Sequence, residues 1–206
     1  MKVIAVSQRV DEFPSRNETR DALDRKLIAF LLVAGYIPSP VPNGLFGEKL
    51  DVLEGHDALD SWLVALNPSA IVLSGGNEIG QYLCRDQTEI RLLEYAKTRN
   101  LPLLGICRGM QMMGYWSGVN LKPVQRHVKT RHHISGDISG VVNSYHNFSL
   151  EHCPDGFSVL AISEDGEIES IRHKFLDWEG WMWHPEREDC FAGRDIQRIN
   201  LLFGVD

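Results

Sequence analysis

The stretch Leu-Leu-Gly-Ile-Cys-Arg-Gly-Met-Gln, residues 103–111, decides the fold and supplies the first candidate for a functional residue. The continuous apolar run at residues 101–106 is typical of a strand buried on both faces of a parallel sheet, and residues 108–117 can continue as a helix. Cys107 stands at this junction with a glycine two positions away on either side, which is the pattern of a nucleophile elbow. A free cysteine is more often a buried packing residue, but the glycines and the strand-to-helix context favour a nucleophile.

Strands and helices alternate on both sides of this junction. Apolar runs predict extended segments at residues 3–6, 36–42 and 70–74, and helical spacing predicts helices at residues 20–34, 59–66 and 86–100, the first capped by Thr19. After Pro123 the pattern changes to strands at residues 141–142, 159–162, 168–171 and 178–183, a tight turn at Asp165-Gly166 and a last helix at residues 194–203. The sequence therefore predicts an α/β fold, a flavodoxin-like three-layer sandwich with a mainly parallel central sheet, formed as one domain over residues 1–206.

Composition excludes several classes of protein. The chain has 206 residues, of which 43% are hydrophobic and 24% charged, the balance of an ordinary globular protein. Its net charge of −7 disfavours a nucleic-acid partner, because such binding depends on phosphate neutralisation. The longest apolar stretch, residues 27–36, is half of the about 20 residues that a membrane span needs, and no signal-like region opens the chain. Four scattered cysteines fit neither a disulfide framework nor a zinc ribbon, so we expect a cytoplasmic protein.

Two further motifs could serve a nucleophile at Cys107. His184 follows an apolar strand, and Glu186 lies two residues on, where it could orient the imidazole and stabilise its charged form. Gly75-Gly76 follows the strand at residues 70–74 and could point a backbone N–H group into a site, although a lone pair of glycines is most often an ordinary turn. The N–H group of Arg108, directly after the cysteine, would be the second donor of an oxyanion hole.

These motifs together carry a resemblance that spans nearly the whole chain. Gly75-Gly76, the stretch at residues 105–111 and His184-Pro185-Glu186, in that order, resemble the class I glutamine amidotransferases. Within that superfamily, the chain resembles the γ-glutamyl hydrolase branch, which includes γ-glutamyl-γ-aminobutyrate hydrolases. The segments that carry this second resemblance are residues 7–9, 20–24 and 142–146.

The resemblance implies a mechanism and a set of site residues. Cys107 would attack a γ-glutamyl carbonyl, His184 would exchange the proton and Glu186 would orient His184. The N–H groups of Gly76 and Arg108 would hold the oxyanion, and neither metal nor cofactor would be needed. The substrate-binding residues that it implies are Gly75, Gln111, Asn143, Ser144, Tyr145, His146, Arg9 and Arg20.

The basic run at residues 125–133 bears on the choice of substrate. It is either a solvated loop or an anion pocket for phosphates, because Arg and Lys pair strongly with phosphate oxygens. A zinc site is disfavoured, since His127, His132 and His133 have no companion cysteine or carboxylate at the usual ligand spacing. In residues 7–10, 16–18, 72–77 and 182–188 the chain also resembles short hydrolases that release glutamate from γ-glutamyl-CDP-amidate, giving the cytidine diphosphoramidate used to modify capsular polysaccharide. We therefore expect a small-molecule γ-glutamyl substrate, and γ-glutamyl-CDP-amidate before any other.

Three alternatives stay open at the level of sequence. The leaving group could be a small amine, as in the γ-glutamyl-γ-aminobutyrate hydrolases. The chain could also be a glutaminase subunit that delivers ammonia to a synthase partner. A catalytically silent binding module is the alternative outside enzymology, and the presence of Cys107, His184 and Glu186 together argues against it.

Overall fold

A nine-stranded sheet organises the computed structural model, which describes residues 1–46 and 55–204. The helices are α1 (Arg25–Val33), α2 (Gly55–Leu66), α3 (Leu83–Arg99), α4 (Arg108–Trp116) and α5 (Gly193–Leu202). The strands are β1 (Lys2–Ser7), β2 (Arg9–Phe13), β3 (Glu18–Ala22), β4 (Tyr36–Val41), β5 (Ile71–Leu73), β6 (Leu103–Ile106), β7 (Leu121–Pro123), β8 (Val128–Gly136), β9 (Gly140–Tyr145), β10 (Phe148–Leu150), β11 (Phe157–Ser163), β12 (Ile168–His173) and β13 (Trp178–Trp181).

The large sheet has a parallel half and an antiparallel half. Its strand order is β4-β1-β5-β6-β13-β12-β11-β8-β9. The first five strands pair in parallel, and each pair from β13 to β9 is antiparallel. Strands β1, β5, β6 and β13 therefore end at one edge of the parallel half, where ligands bind in open α/β sheets.

Helices cover both faces of the parallel half. On one face, Phe30 and Leu31 of α1 and Ile199 of α5 pack on Ile4 and Val6. On the other face, residues from α2, α3 and α4, among them Leu63, Leu92 and Met112, pack on Ala5 and Ile71. Neighbouring residues of β1 thus enter opposite cores, as the two-residue period of a strand requires. The α/β class and the three-layer arrangement predicted from the sequence are confirmed.

The first predicted helix begins later than expected. Residues 18–22 are not helical but form β3, which pairs with β2 as an antiparallel hairpin. Asn17 makes the turn between them with φ 49°, a conformation that asparagine tolerates better than most residues. The helix α1 starts at Arg25 because the carboxylate of Asp24 caps it, accepting the N–H of Lys26 at 2.8 Å.

Other differences lie at element ends and in the antiparallel half. Helix α3 starts one turn before Asp86, whose carboxylate accepts the Gly80 N–H at 2.7 Å and binds Arg108. Strand β13 ends at Trp181, two residues before its predicted end. The sequence pattern also missed β2 and β8, as well as β7 and β10, which pair with each other in a separate antiparallel sheet. None of the helices that the structure describes is long and apolar enough to cross a membrane.

Candidate active site

Cys107 occupies a strained turn between β6 and α4. Its backbone has φ 50° and ψ −103°, and its N–H donates to the Trp181 carbonyl at 2.7 Å. The flanking glycines are required by packing, because a Cβ on Gly109 would overlap the Leu73 carbonyl and one on Gly105 would lie 2.6 Å from the Gly109 carbonyl carbon. Only glycines at these two positions let α4 approach β5 and β6 this closely. The elbow places Cys107 at the N-terminal end of α4, where the helix dipole favours negative charge.

His184 and Glu186 form a buried pair beside Cys107. Nδ1 of the imidazole lies 2.6 Å from Oε1 of Glu186, and both residues are at most 3% exposed. Burial by itself lowers the pKa of His184, but the negative charges that Cys107 and Glu186 can carry, with hydrogen bonds from the imidazole to both side chains, raise it to about 9. The imidazole is therefore protonated at neutral pH and can give a proton to a reacting group.

Asn143 fixes the backbone of His184. Its Nδ2 donates to the His184 carbonyl at 2.7 Å, and its Oδ1 accepts the His184 N–H at 3.0 Å. Asn143 lies in β9, so the antiparallel half of the sheet holds the histidine that follows β13 in the parallel half. Tyr145, also in β9, packs edge-on against the imidazole at 5.7 Å between ring centroids.

The loop after β5 brings Gly75 and Gly76 to the site. A Cβ on Gly75 would lie 2.6 Å from Cε1 of His184, so this position also requires glycine. The buried guanidinium of Arg85 donates to the carbonyls of Ser74 at 2.9 Å, of Gly75 at 3.0 Å and of Gly76. Arg85 therefore fixes the path of the loop from behind.

Arg85 belongs to a buried charge network that also holds Arg108. The guanidinium of Arg108 is bound to the carboxylates of Asp86 and Glu89. At the elbow, Arg108 can therefore offer its backbone N–H group but not its side-chain charge. Glu89 also accepts from Arg85 at 3.1 Å. Burial lowers the pKa of Arg85 to about 10, with Glu89 opposing and Arg108 adding to the effect. The sequence reasoning missed Arg85, although its spacing from Glu89 on a helix was a usable signal.

A cavity of about 350 Å³ opens in front of Cys107. This volume is within the usual range for small-molecule sites. Of the charged residues, Arg9, Arg187 and Glu78 line it, while the Arg108 side chain is occupied by its carboxylates. Sequence reasoning overlooked Arg187 and Glu78. The remaining lining residues are Gly76, Asn77, Gln81, Cys107, Gln111, Tyr145, His146, Asn147, Phe148 and His184.

The structure brings most of the predicted site residues to this cavity, but five do not line it, among them Glu186, which contacts His184 through Nδ1 of the imidazole. Gly75, Asn143 and Ser144 lie behind it, and the Ser144 hydroxyl is buried and donates to the His127 carbonyl at 2.6 Å. Arg20 pairs with Glu18 and lines a second cavity of about 700 Å³. The two cavities share Gln81 as a wall.

The basic run does not line the cavity beside Cys107. The run leads into β8. The Arg131 guanidinium lies 2.9 Å from Glu188, whereas the side chains of His127, just before β8, and of His132 turn inward. Of the two interpretations left open for this run, an anion pocket beside Cys107 is therefore not the one that the structure supports. Arg9 and Arg187 are the cations that face that cavity.

An elbow cysteine beside a buried histidine and carboxylate, at the carboxyl edge of a doubly covered parallel sheet, is an arrangement found in α/β enzymes with a nucleophilic side chain. The chain belongs to the glutamine amidotransferase class-I family, whose sequence profile matches residues 46–198.

Three similar proteins represent the range of relatives. The chain is 33% identical over 142 residues to the γ-glutamyl-CDP-amidate hydrolase of Campylobacter jejuni, a match that covers 66% of this chain and 70% of that protein. It is 30% identical over 164 residues to the glutamine-hydrolysing GMP synthase of Bacillus licheniformis, covering 74% of this chain but 31% of that enzyme. Among solved structures, a GMP synthase-type protein from Thermoplasma acidophilum superposes with a TM-score of 0.71 at 20% identity, covering 99% of this chain and 93% of the other. This last likeness confirms the fold.

Proposed function

We propose that the chain hydrolyses a γ-glutamyl amide bond with Cys107 as the nucleophile. The observation that carries the proposal is the strained Cys107 turn facing the protonated His184, with Glu186 bound to the imidazole at 2.6 Å. The thiolate attacks the γ-carbonyl carbon, and the resulting oxyanion is held by the N–H groups of Gly76 and Arg108. The imidazolium then gives its proton to the leaving nitrogen, the C–N bond breaks and a γ-glutamyl thioester forms.

The second half of the reaction uses the same groups. The imidazole of His184, now neutral, takes a proton from a water molecule, whose oxygen attacks the thioester carbonyl. The C–S bond breaks, glutamate leaves and the proton stays on His184 beside the restored thiolate. Glu186 stabilises the imidazolium at both stages and orients its ring.

We propose γ-glutamyl-CDP-amidate as the substrate. The Campylobacter jejuni relative carries this activity in its name. Arg9 and Arg187 supply guanidinium groups beside Cys107, and guanidinium is the side chain best suited to phosphate oxygens. We assign the ammonium of the glutamyl part to the carboxylate of Glu78, which lines the same cavity as Gln111.

The neighbouring cavity is our candidate for the nucleotide site. It shares Gln81 with the cavity beside Cys107 and is also lined by Arg20. We assign the glutamyl group to the first cavity and the cytidine part to the second. Asn143 then acts on the substrate only through His184, and Ser144 through β8, so we classify both as positioning residues.

Residues 1–206 act in this proposal as one catalytic domain, because residues from positions 9 to 187 line one cavity. A cysteine nucleophile must stay reduced, which agrees with action in the cytoplasm. The product, cytidine diphosphoramidate, would serve the phosphoramidate modification of capsular polysaccharide.

A glutaminase subunit is the second candidate, favoured by the resemblance to GMP synthase. Such a subunit would hydrolyse glutamine slowly alone and would be strongly activated by its synthase. A free-standing hydrolase needs no activator. Comparing kcat/KM for glutamine, γ-glutamyl-γ-aminobutyrate and γ-glutamyl-CDP-amidate with the purified chain separates the three candidates.

Arginine variants test the nucleotide proposal directly. Arg187→Gln and Arg9→Gln should raise KM for γ-glutamyl-CDP-amidate roughly tenfold to over a hundredfold, because a hydrogen bond to a charged group contributes about 1.5–3 kcal/mol. KM for glutamine should change far less, since glutamine has no phosphate. Arg131→Gln is the matched control, as its guanidinium is exposed and pairs with Glu188 outside the cavity. Equal changes for both substrates would remove the nucleotide assignment.

A further inference from the structure

Three imidazoles and one carboxylate converge in the antiparallel half of the sheet. His127, His132, His146 and Glu169, here called the imidazole cluster, come from the start of β8, from β8 itself, from the end of β9 and from β12. Oε1 of Glu169 lies 3.6 Å from Nδ1 of His127, 3.3 Å from Nε2 of His132 and 3.4 Å from Nε2 of His146. Nδ1 of His127 and Nε2 of His146 are 3.1 Å apart. Oε1 of Glu169 thus faces one possible ligand atom of each imidazole.

Hydrogen bonds on the far side fix two of the rings. Nδ1 of His146 lies 3.0 Å from the Phe148 carbonyl, which can only accept, so Nδ1 carries the hydrogen and Nε2 carries a lone pair. Nε2 of His127 lies 2.9 Å from Asp165 and donates to that carboxylate. A neutral His127 would then point its Nδ1 lone pair at the lone pair of His146. Two lone pairs at 3.1 Å require a cation or a proton between them.

The other two members of the cluster are buried without hydrogen bonds. Nε2 of His132 and both carboxylate oxygens of Glu169 have no partner in hydrogen-bonding geometry among the described residues. Glu169 is fully buried. Burial of an ionised carboxylate without partners costs several kcal/mol, so a compensating positive charge is expected here.

We propose that the imidazole cluster is a structural zinc site, with His127 Nδ1, His132 Nε2, His146 Nε2 and Glu169 Oε1 as ligands. Ligands at about 2.0–2.1 Å from a tetrahedral zinc ion are about 3.3 Å from one another, close to the 3.1–3.6 Å measured for four of the pairs. The hydrogen bonds that His127 and His146 donate to Asp165 and to the Phe148 carbonyl are of the kind that orient metal-binding histidines.

Charge favours a divalent ion over a single proton. A proton on His127 Nδ1 would serve the contact with His146 but would leave His132 Nε2 and Glu169 unpartnered among the described residues. Zn²⁺ engages all four ligands, and the two carboxylates of Glu169 and Asp165 balance its charge. Nitrogen-rich tetrahedral sites without redox function suit Zn²⁺.

The proposed ion would join parts of the sheet that hydrogen bonds do not join. Strand β11 separates β12 from β8, but it pairs with β8 only through residues 161–163 and 134–136. The first half of β8 lacks this pairing, and His132 and His127 lie in or just before that half. His146 also lines the cavity beside Cys107. The zinc would therefore hold that wall of the cavity to β12.

This site could not be recognised from the sequence, because its carboxylate, Glu169, is far from His127 and His132 along the chain. By sequence spacing, the candidate ligands were His127, His132 and His133, and no acidic residue lay at the usual ligand spacing from them. The structure exposes His133 on the other face of β8 and supplies His146 and Glu169 from elsewhere. His133 is therefore a natural control for His132.

Metal analysis tests the proposal. Protein purified without chelator should contain about one zinc per chain by inductively coupled plasma mass spectrometry. Chelator-treated protein should rebind one Zn²⁺ in a calorimetric titration, and its melting temperature should rise as Zn²⁺ is returned. Cobalt in place of zinc should give the intense visible bands of tetrahedral Co²⁺, a readout independent of enzyme activity.

Variants assign the ligands. His132→Ala and Glu169→Gln should lose stoichiometric zinc, whereas His133→Ala should keep it. Asp165→Asn should weaken zinc binding about 10- to 100-fold, the usual effect of removing a partner that orients a ligand. If the variants fail to fold, the titration of the unmodified protein still decides. Absence of zinc uptake by that protein, or equal loss in His132→Ala and His133→Ala, would overturn the proposal and leave a protonated histidine as the compensating charge.

Discussion

Nδ1 of His184 lies 2.6 Å from Oε1 of Glu186, in a place almost closed to solvent. The distance is that of a strong, charge-assisted hydrogen bond. Since the pKa of His184 rises from 6.5 to about 9, the pair is charged at neutral pH.

Glu186→Gln should lower both the pKa of His184 and kcat. The amide keeps the shape of the side chain but removes its negative charge. Less negative charge then opposes the lowering of the imidazole pKa by burial. We expect kcat to fall roughly 10²–10⁴-fold, the range of acid–base contributions, and less than in Cys107→Ala. Steady-state kinetics and an NMR titration of labelled histidine measure the two effects. An unchanged titration midpoint would contradict the assignment of Glu186.

The same pair should make stability depend on pH on the alkaline side. The folded-state pKa of His184 is raised, so its contribution to the free energy of unfolding is fully present below pH 6.5 and is lost as the pH rises through about 9. Urea unfolding between about pH 6 and 10 should show the unmodified protein losing stability relative to Glu186→Gln over this window. A constant difference between the two proteins would argue against a charged pair.

Cys107→Ala should abolish hydrolysis, leave the fold intact and lower the pKa of His184. The last effect follows because the thiolate charge is a main reason why that pKa is high. Cys190→Ala, at an exposed cysteine, is the control and should behave like the unmodified protein. A γ-glutamyl electrophile should label the protein once, at Cys107, by mass spectrometry of its peptides. Equal residual activity in Cys107→Ala, His184→Ala and Glu186→Gln would refute the separate roles.

Gly75→Ala should impair turnover more than stability. The added methyl group would lie 2.6 Å from Cε1 of His184 and would push the imidazole away from Cys107. A displacement of this size can cost about 100-fold in rate. Gly193→Ala is the control, because nothing lies within 4 Å of its Cβ position at the start of α5. Unaltered kcat in Gly75→Ala would mean that the imidazole adapts to the methyl group.

Arg85→Lys should reduce kcat by loosening the loop that carries Gly76. Lysine keeps the charge but cannot reach the carbonyls of Ser74, Gly75 and Gly76 together. We expect kcat to fall at nearly constant KM, with a lower melting temperature. Arg91→Lys on the same helix is the control, since Arg91 pairs with Asp60 and Glu94 at the surface. A rise in KM alone would instead place Arg85 in substrate binding.

The sequence predicted the elements of the parallel half because their chemistry is local. An apolar run followed by Gly-x-Cys-x-Gly constrains the turn at Cys107 within a few residues, and the structure has the strand and helix there. The helix at residues 20–34 was placed too early because a charged segment with occasional apolar residues fits both a helix and a hairpin. Pairing with β2, which is a tertiary contact, stabilises the hairpin rather than the helix.

The supporting residues could not be predicted in the same way. Arg85 and Asn143 act on backbone groups that reach them only after the sheet has formed. The resemblance implied substrate binding for both Arg9 and Arg20, yet of the two only Arg9 lines the cavity beside Cys107. Sequence spacing carries no information on such choices, because they depend on which strands become neighbours.

The position of Asn143 also determines how the site loses activity on heating. Strand β9 is the last strand of the nine and has no partner on its outer side within the described sheet. Edge segments open locally at lower free energy than the centre of a domain. Release of β9 would free the backbone of His184 while Cys107, held between β5 and β13, stays in place. Turnover should therefore decline at temperatures where circular dichroism still reports a folded protein, and cooling should restore it.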